Sequence, residues 1–187
     1  MNLQHFLNSI IPFPSDQLQI IRNAFEIETF TKGHRLISEG ETCKKLYYLE
    51  KGLARSYYSN NKGKEITVWF FDDDNFLVGM DSFFNQRPSI YATELLEDCT
   101  LYAISYDKLH DLFDQYHLME RFGRVLITKI MGSMVDRLSA IQFQTAQERY
   151  DFMVKTYPEI VYRAPLGTIA SYLGITQETL SRIRSKQ

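Results

Sequence analysis

The sequence predicts an α+β chain in three successive parts: a β-sandwich or barrel, a long helix, and a small helical unit. Three observations predict it. Glycines recur at 33, 40, 52, 63 and 79, and between them lie short runs rich in Tyr, Phe, Val, Ile and Thr. Short strands with turn signals about every ten residues indicate a sandwich or barrel rather than alternating βαβ units. Residues 117–141 carry the longest run of helically spaced apolar side chains, and residues 142–187 return to helix-start and helix-stop signals.

In chain order, residues 15–27 read as a short helix. Pro14-Ser15-Asp16 supplies a cap residue and a first-turn acid, and Leu18, Ile21 and Phe25 lie at helical spacing. Strands follow between about 28 and 105, exemplified by Leu46–Leu49, Ala54–Tyr58, Ile66–Phe71 and Thr100–Ile104. The segment Ser59–Lys64 joins two of them, its Asn and Gly residues suited to a tight connection. Asp72-Asp73-Asp74 lacks the spacing of a calcium loop and reads as an exposed turn after Phe71. Residues 106–115 read as a short helix with Leu109, Leu112 and Phe113 on one face.

In the 117–141 helix, Phe122, Leu126, Ile130, Met134 and Leu138 form one apolar row, and Val125, Ile127, Met131 and Val135 form a second. One stripe suffices to cover a helix's own domain. Two predict two burials, one against the β unit and one against a second copy of the chain. Thr145 and Glu148 then form a capping-box pattern that opens a helix ending near Tyr157-Pro158.

The bulk numbers bound the function. The chain has 187 residues, 44% hydrophobic and 24% charged, with a formal net charge of −2, an ordinary globular balance. No stretch approaches the roughly 20 apolar residues that span a bilayer, and the N-terminus lacks a signal-peptide pattern. Two cysteines are too few for a disulfide scaffold or a four-thiolate cluster, so a cytoplasmic location is expected. Cys43 and Cys99 read as buried small hydrophobes, with a redox pair as the alternative if the sheets juxtapose them. His34 has no H-x-H partner, no hydrolase elbow, Walker loop or dinucleotide fingerprint occurs, and no metal, cofactor or enzymatic activity is expected.

Residues 165–186 carry the functional signal. Pro165 precedes a first short helix, Gly174 ends it, and Thr176 caps a second. Ile169, Leu173, Ile175, Leu180 and Ile183 form an interior set, and Ala170 permits close approach. This is a helix-turn-helix. Gln177, Glu178, Ser181 and Arg182 project from the start of the second helix with base-reading chemistry: Arg for guanine, Glu for cytosine N4, Gln and Ser for several edges. Thr168, Thr176, Thr179, Arg184 and Lys186 suit phosphate contacts. Double-stranded DNA is the expected partner.

At this point the chain resembles the Crp/Fnr family of bacterial transcription regulators across nearly its full length. Ile169–Arg182 closely follows that family's helix-turn-helix, and Glu178-x-x-Ser181-Arg182 is similar to an Fnr-type reading triplet. Gly33, Gly40, Gly52 and Phe76-Leu77-Val78-Gly79 are similar to its cyclic-nucleotide-binding β-roll. The resemblance implies a double-stranded β-helix (jelly-roll) effector domain at 1–116, a dimerisation helix at 117–141, and a winged helix-turn-helix at 142–187. It further implies a homodimer on an inverted repeat with half-sites related to TGA, Arg182 on guanine and Glu178 on the cytosine paired to guanine, and RNA polymerase as a further partner. The effector pocket would involve Gly79, Met80, Asp81, Arg87 and Ser89. Members that bind cyclic AMP carry Gly-Glu and then Arg-Ser or Arg-Thr here. This chain has Gly79-Met80-Asp81 and an Arg87 without its Ser, so cyclic-AMP dependence is not expected. A cyclic-nucleotide-responsive regulator, a regulator with another small-molecule effector, and a ligand-free dimeric interaction module stay open as alternatives.

Overall fold

The computed structural model describes residues 1–185. Eight strands form the roll: β1 Glu26–Phe30, β2 Arg35–Ile37, β3 Lys45–Lys51, β4 Ala54–Ser59, β5 Glu65–Phe71, β6 Asn75–Leu77, β7 Ala92–Leu95 and β8 Cys99–Ser105. They make two four-stranded sheets, ordered β1-β8-β3-β6 and β2-β7-β4-β5. All pairs are antiparallel, and β1 pairs β8, β2 pairs β7, β3 pairs β6, and β4 pairs β5. An antiparallel ribbon closed by the β4–β5 hairpin therefore winds through both sheets, which is the double-stranded β-helix. The hairpin turn is set by Asn60, whose side chain accepts from the Lys62 and Lys64 amides, and by Gly63 at φ 72°. Alternate side chains fill the space between the sheets, with Leu49, Leu77, Leu95 and Leu101 essentially inaccessible.

A second apolar cluster lies on the outer face of the first sheet. There α1 (Leu3–Ile10), α2 (Ser15–Ala24), α4 (Tyr106–Gln115) and the start of α5 (His117–Phe143) pack around Tyr48 and Phe76. The short α3 (Met80–Phe83) links β6 to β7. Sequence reading did not find α1, although Asn2 caps it and Leu3 and Leu7 sit one turn apart on its buried side. In α2 the cap position is Pro14, with no side-chain bond, rather than Ser15, and the helix stops at Ala24 because Glu26–Phe30 is drawn into pairing with β8.

The long helix changes character along its length. Met119 and Phe122 are buried, whereas Met131 (57% exposed), Val135 (55%) and Leu138 (57%) are open. Phe122, placed by sequence in the first apolar row of the dimerisation helix, stacks edgewise with Phe6 and Phe76 of its own chain. That ring is committed to the core, so the exposed apolar row begins beyond it.

The C-terminal unit consists of α6 (Ala146–Thr156), α7 (Pro158–Arg163), α8 (Leu166–Leu173) and α9 (Gln177–Arg184). The Thr145–Glu148 capping box is formed in both directions. Among the described residues no strand follows Ser105, so the helix-turn-helix is present without the expected wing. The capping box and Pro158, at the first position of α7, commit 145–163 to helix.

The cysteines sit in different cores, Cys43 in the cluster around α1, α2 and α4 and Cys99 between the sheets, and both are free thiols. Burial raises both, Cys99 to about 11. They are small buried hydrophobes rather than a redox pair.

Candidate DNA-binding interface

The helix-turn-helix is built on a left-handed residue. Gly174, at φ 68°, ends α8, its amide donates back to Ser171, and the Ile175 amide donates to Ala170 at 3.0 Å. Only a residue without Cβ takes this conformation cheaply. Thr176 then caps α9 by accepting from the Thr179 amide. Ile169, Ala170, Leu173, Leu180 and Ile183 are buried beneath the turn, which fixes the two helices against each other.

On the opposite side of α9, Gln177, Glu178, Ser181 and Arg182 are all exposed. They recur at i and i+4, so the structure brings all four predicted base-reading residues onto one face. Gln177 has a second contact: a Cβ at Gly167 would stand 2.7 Å from its Nε2, so its amide rests on the first turn of α8. The Thr176 hydroxyl, followed by the free backbone amide of the first turn and, more weakly, Arg182, holds the Glu178 carboxyl below the usual carboxylate range. A carboxylate held ionised is an acceptor only, as cytosine N4 requires.

The predicted phosphate residues fare differently. Arg184 turns inward: its Nη2 donates to the Val161 carbonyl at 3.2 Å, and its guanidinium lies 5.8 Å from the Tyr150 ring. It anchors α9 to α7 and α6, because with Leu180 and Ile183 it occupies the buried face, so its assignment to phosphate is corrected. The hydroxyls of Thr168, Thr176 and Thr179 make local bonds, Thr168 to the Pro165 carbonyl and the other two to each other. Lys186 lies outside the described residues.

The reading unit is docked on its own roll, which sequence reasoning missed. β5 is a sheet edge. Its Thr67 amide donates to Ser171 Oγ at 2.9 Å, and that hydroxyl donates to the Glu65 carbonyl at 3.3 Å. One side chain of α8 thus satisfies two groups of an otherwise bare edge. Tyr172 packs on Phe70 with ring centroids 5.2 Å apart, and Arg137 of α5 lies 3.6 Å over the Tyr172 ring and donates to its carbonyl. Arg163 of α7 bridges to Glu97 at 2.6 Å and to Asp73 at 3.4 Å, so the Asp72–Asp74 turn has a partner in the helical unit. Leu53, Phe70 and Leu96 of the roll share one apolar cluster with α6–α9.

A cavity of about 810 Å³ runs between the roll, α5 and the reading unit. Of the predicted effector residues, Gly79, Met80 and Asp81 line it. Arg87 does not: its side chain is 62% exposed in a loop, 3.8 Å from Asp81. Ser89 is buried with its hydroxyl tied to the Tyr91 backbone. Among the described residues no cluster of three or more His, Cys, Asp or Glu could hold a metal, and no helix is long and apolar enough to cross a membrane.

Known proteins share this organisation. The cyclic nucleotide-binding domain family matches residues 27–116, the roll with α4. Among solved structures, FixK2 from Bradyrhizobium japonicum superposes with a TM-score of 0.76 at 18% identity, covering 87% of this chain and 83% of that one. A CooA mutant from Carboxydothermus hydrogenoformans gives 0.73 at 15% identity over 100% of this chain and 84% of its own. These likenesses establish the fold. In sequence, the fumarate and nitrate reduction regulatory protein of Yersinia pestis is 30% identical over 166 residues, 81% of this chain but only 64% of that protein. Its counterpart in Vibrio cholerae is 30% identical over 183 residues, 90% of this chain and 70% of that protein. With that identity over that share of both chains, the chain belongs to the Crp/Fnr family of transcription regulators.

Proposed function

We propose that this chain is a sequence-specific DNA-binding transcription regulator that acts as a homodimer on an inverted repeat. The observation that carries the reading is the exposed Gln177, Glu178, Ser181 and Arg182 face of α9, held rigidly by the buried underside of the turn. In the major groove Arg182 takes guanine O6 and N7 and Glu178 accepts from cytosine N4, and the likeness to the Crp/Fnr family supports a half-site related to TGA. The dimer is carried by the exposed apolar row of α5, comprising Ile127, Met131, Met134, Val135, Leu138 and Ile141. A water-facing stripe of that length on a soluble chain calls for a second copy. Pairing of α5 sets two α9 helices about 34 Å apart, one helical turn of DNA.

In this reading residues 1–116 form the effector domain, 117–141 the dimerisation helix and 142–187 the DNA-binding domain. The protein works in the cytoplasm with RNA polymerase as a further partner, and it is not an enzyme. Cyclic AMP is not its effector, because among the described residues no arginine lines the roll end of the cavity to neutralise a cyclic phosphate, and Arg137 along the cavity sits on α5 against Tyr172. The test is a gel shift on a selected site. Arg182→Ala is expected to cost about 1–3 kcal/mol and relax preference at one base pair per half-site. Unchanged affinity and preference would refute the assignment.

A further inference from the structure

Gly167 is the second residue of α8, and a glycine inside a helix costs stability relative to alanine. Its backbone does not ask for one, because its φ lies outside the left-handed region, unlike that of Gly174. The reason lies in what a side chain there would meet. Apart from its chain neighbours and its own helix backbone, the atoms within 4 Å of a Cβ at Gly167 are Nε2 of Gln177 at 2.7 Å and Cδ of Gln177 at 3.5 Å. The glycines of α5 differ: a Cβ at Gly132 would meet nothing, and one at Gly123 would meet the Phe113 ring of the core.

Gln177 is the first residue of α9, exposed, and one turn before Ser181 on the reading face. Among the described residues its carboxamide has no hydrogen-bond partner, so its donor and its acceptor both stay free for a base. A glutamine is rich in rotamers and loses that freedom when it is fixed on a base edge. Seating it beforehand reduces the loss. A carboxamide presenting N–H and C=O together matches N7 and N6 of adenine. We propose that Gly167 is a positioning residue for DNA recognition: by lacking a side chain it seats Gln177 on the first turn of α8, from which the carboxamide reads an adenine of the half-site. This rests on α9 being the DNA-reading helix. The group that a Cβ would displace is the end of an exposed side chain, so Gly167→Ala moves the carboxamide and leaves the helix intact.

Site selection and competition binding with the full chain test this on the parent, Gly167→Ala, Gln177→Ala and the double variant. Gln177→Ala is expected to reduce the preference for adenine at one base pair per half-site by about five- to tenfold. Gly167→Ala is expected to lower the same preference by about fivefold, with the preference at the Arg182 base pair unchanged and the thermal midpoint level or higher. In the Gln177→Ala background, Gly167→Ala is expected to change no preference by more than about twofold. The proposal is overturned if Gly167→Ala leaves the Gln177 base pair as selective as in the parent, if its effect persists in the Gln177→Ala background, or if the midpoint falls. Equal weakening of all sequences would also overturn it, placing a phosphate against the missing side chain, as would a Gln177→Ala variant that still prefers adenine. All these results leave a parent chain that selects a site through Arg182. They are thus distinct from failure of the DNA-reading assignment itself, in which the parent selects no site or Arg182→Ala changes nothing and both readings fall.

Discussion

Arg182 and Arg184 stand two residues apart on α9 and have opposite fates, one exposed among the reading residues and the other bonded to the Val161 carbonyl. Arg184→Ala is therefore expected to lower stability by roughly 1 kcal/mol, a midpoint fall of about 2–4 °C, while leaving the salt dependence of DNA binding nearly unchanged. Calorimetry and a salt titration separate the two effects. The distinction was available from spacing, since Leu180, Ile183 and Arg184 follow the i, i+3, i+4 rule of a buried stripe. The capping residues were legible for a different reason. Gly174 and Thr176 act on the backbone nearest to them, so their roles need no tertiary information. At Gly174 a Cβ would meet nothing within 4 Å, so Gly174→Ala tests backbone strain alone, at an expected cost of about 1–2 kcal/mol.

At the scale of elements, α5 and α8 show what periodicity leaves out. The apolar row of α5 announced a helix, and its double width announced two burials, but which residue goes to which partner depended on α1, whose Phe6 reaches Phe122. Phe122→Ala is expected to cost about 3–5 kcal/mol of stability. Met131→Glu with Leu138→Glu, both at exposed positions, is expected to leave the fold intact and convert dimer to monomer in analytical ultracentrifugation. In α8, no local pattern singles out Ser171 and Tyr172. Their work becomes visible only when β5 is known to be a bare edge, a fact of sheet order rather than of local pattern. Ser171→Ala removes the partner of two edge groups, and the Thr67 amide is expected to exchange hydrogen faster than in the parent chain.

For the whole molecule, charge is unevenly divided. Residues 142–187 carry six basic and four acidic side chains, within a chain whose net charge is −2. Residues 142–187 are thus net basic and residues 1–141 net acidic, but the excess is small, and a single helix-turn-helix unit would hold DNA weakly at physiological salt. Specific binding then depends on pairing two units, and dimerisation and DNA affinity should be lost together. Stability also has a defined acid limit. Lys108 beside Glu26, Thr145 around Glu148 and Thr176 beside Glu178 hold these carboxyls below their ordinary values. Depressed folded values mean that their contribution is complete above the unfolded value of about 4.3 and is lost as pH falls through the folded ones. The urea midpoint should therefore fall on acidification below about pH 4.3, and a flat midpoint there would contradict these pairings. The central claim is that two copies of α9 read one duplex together, and selection of bound sites from a random duplex pool with the full chain tests it most directly. The expected result is an inverted repeat whose half-sites are centred about one helical turn apart; no enrichment, or enrichment of a single asymmetric half-site, would contradict it.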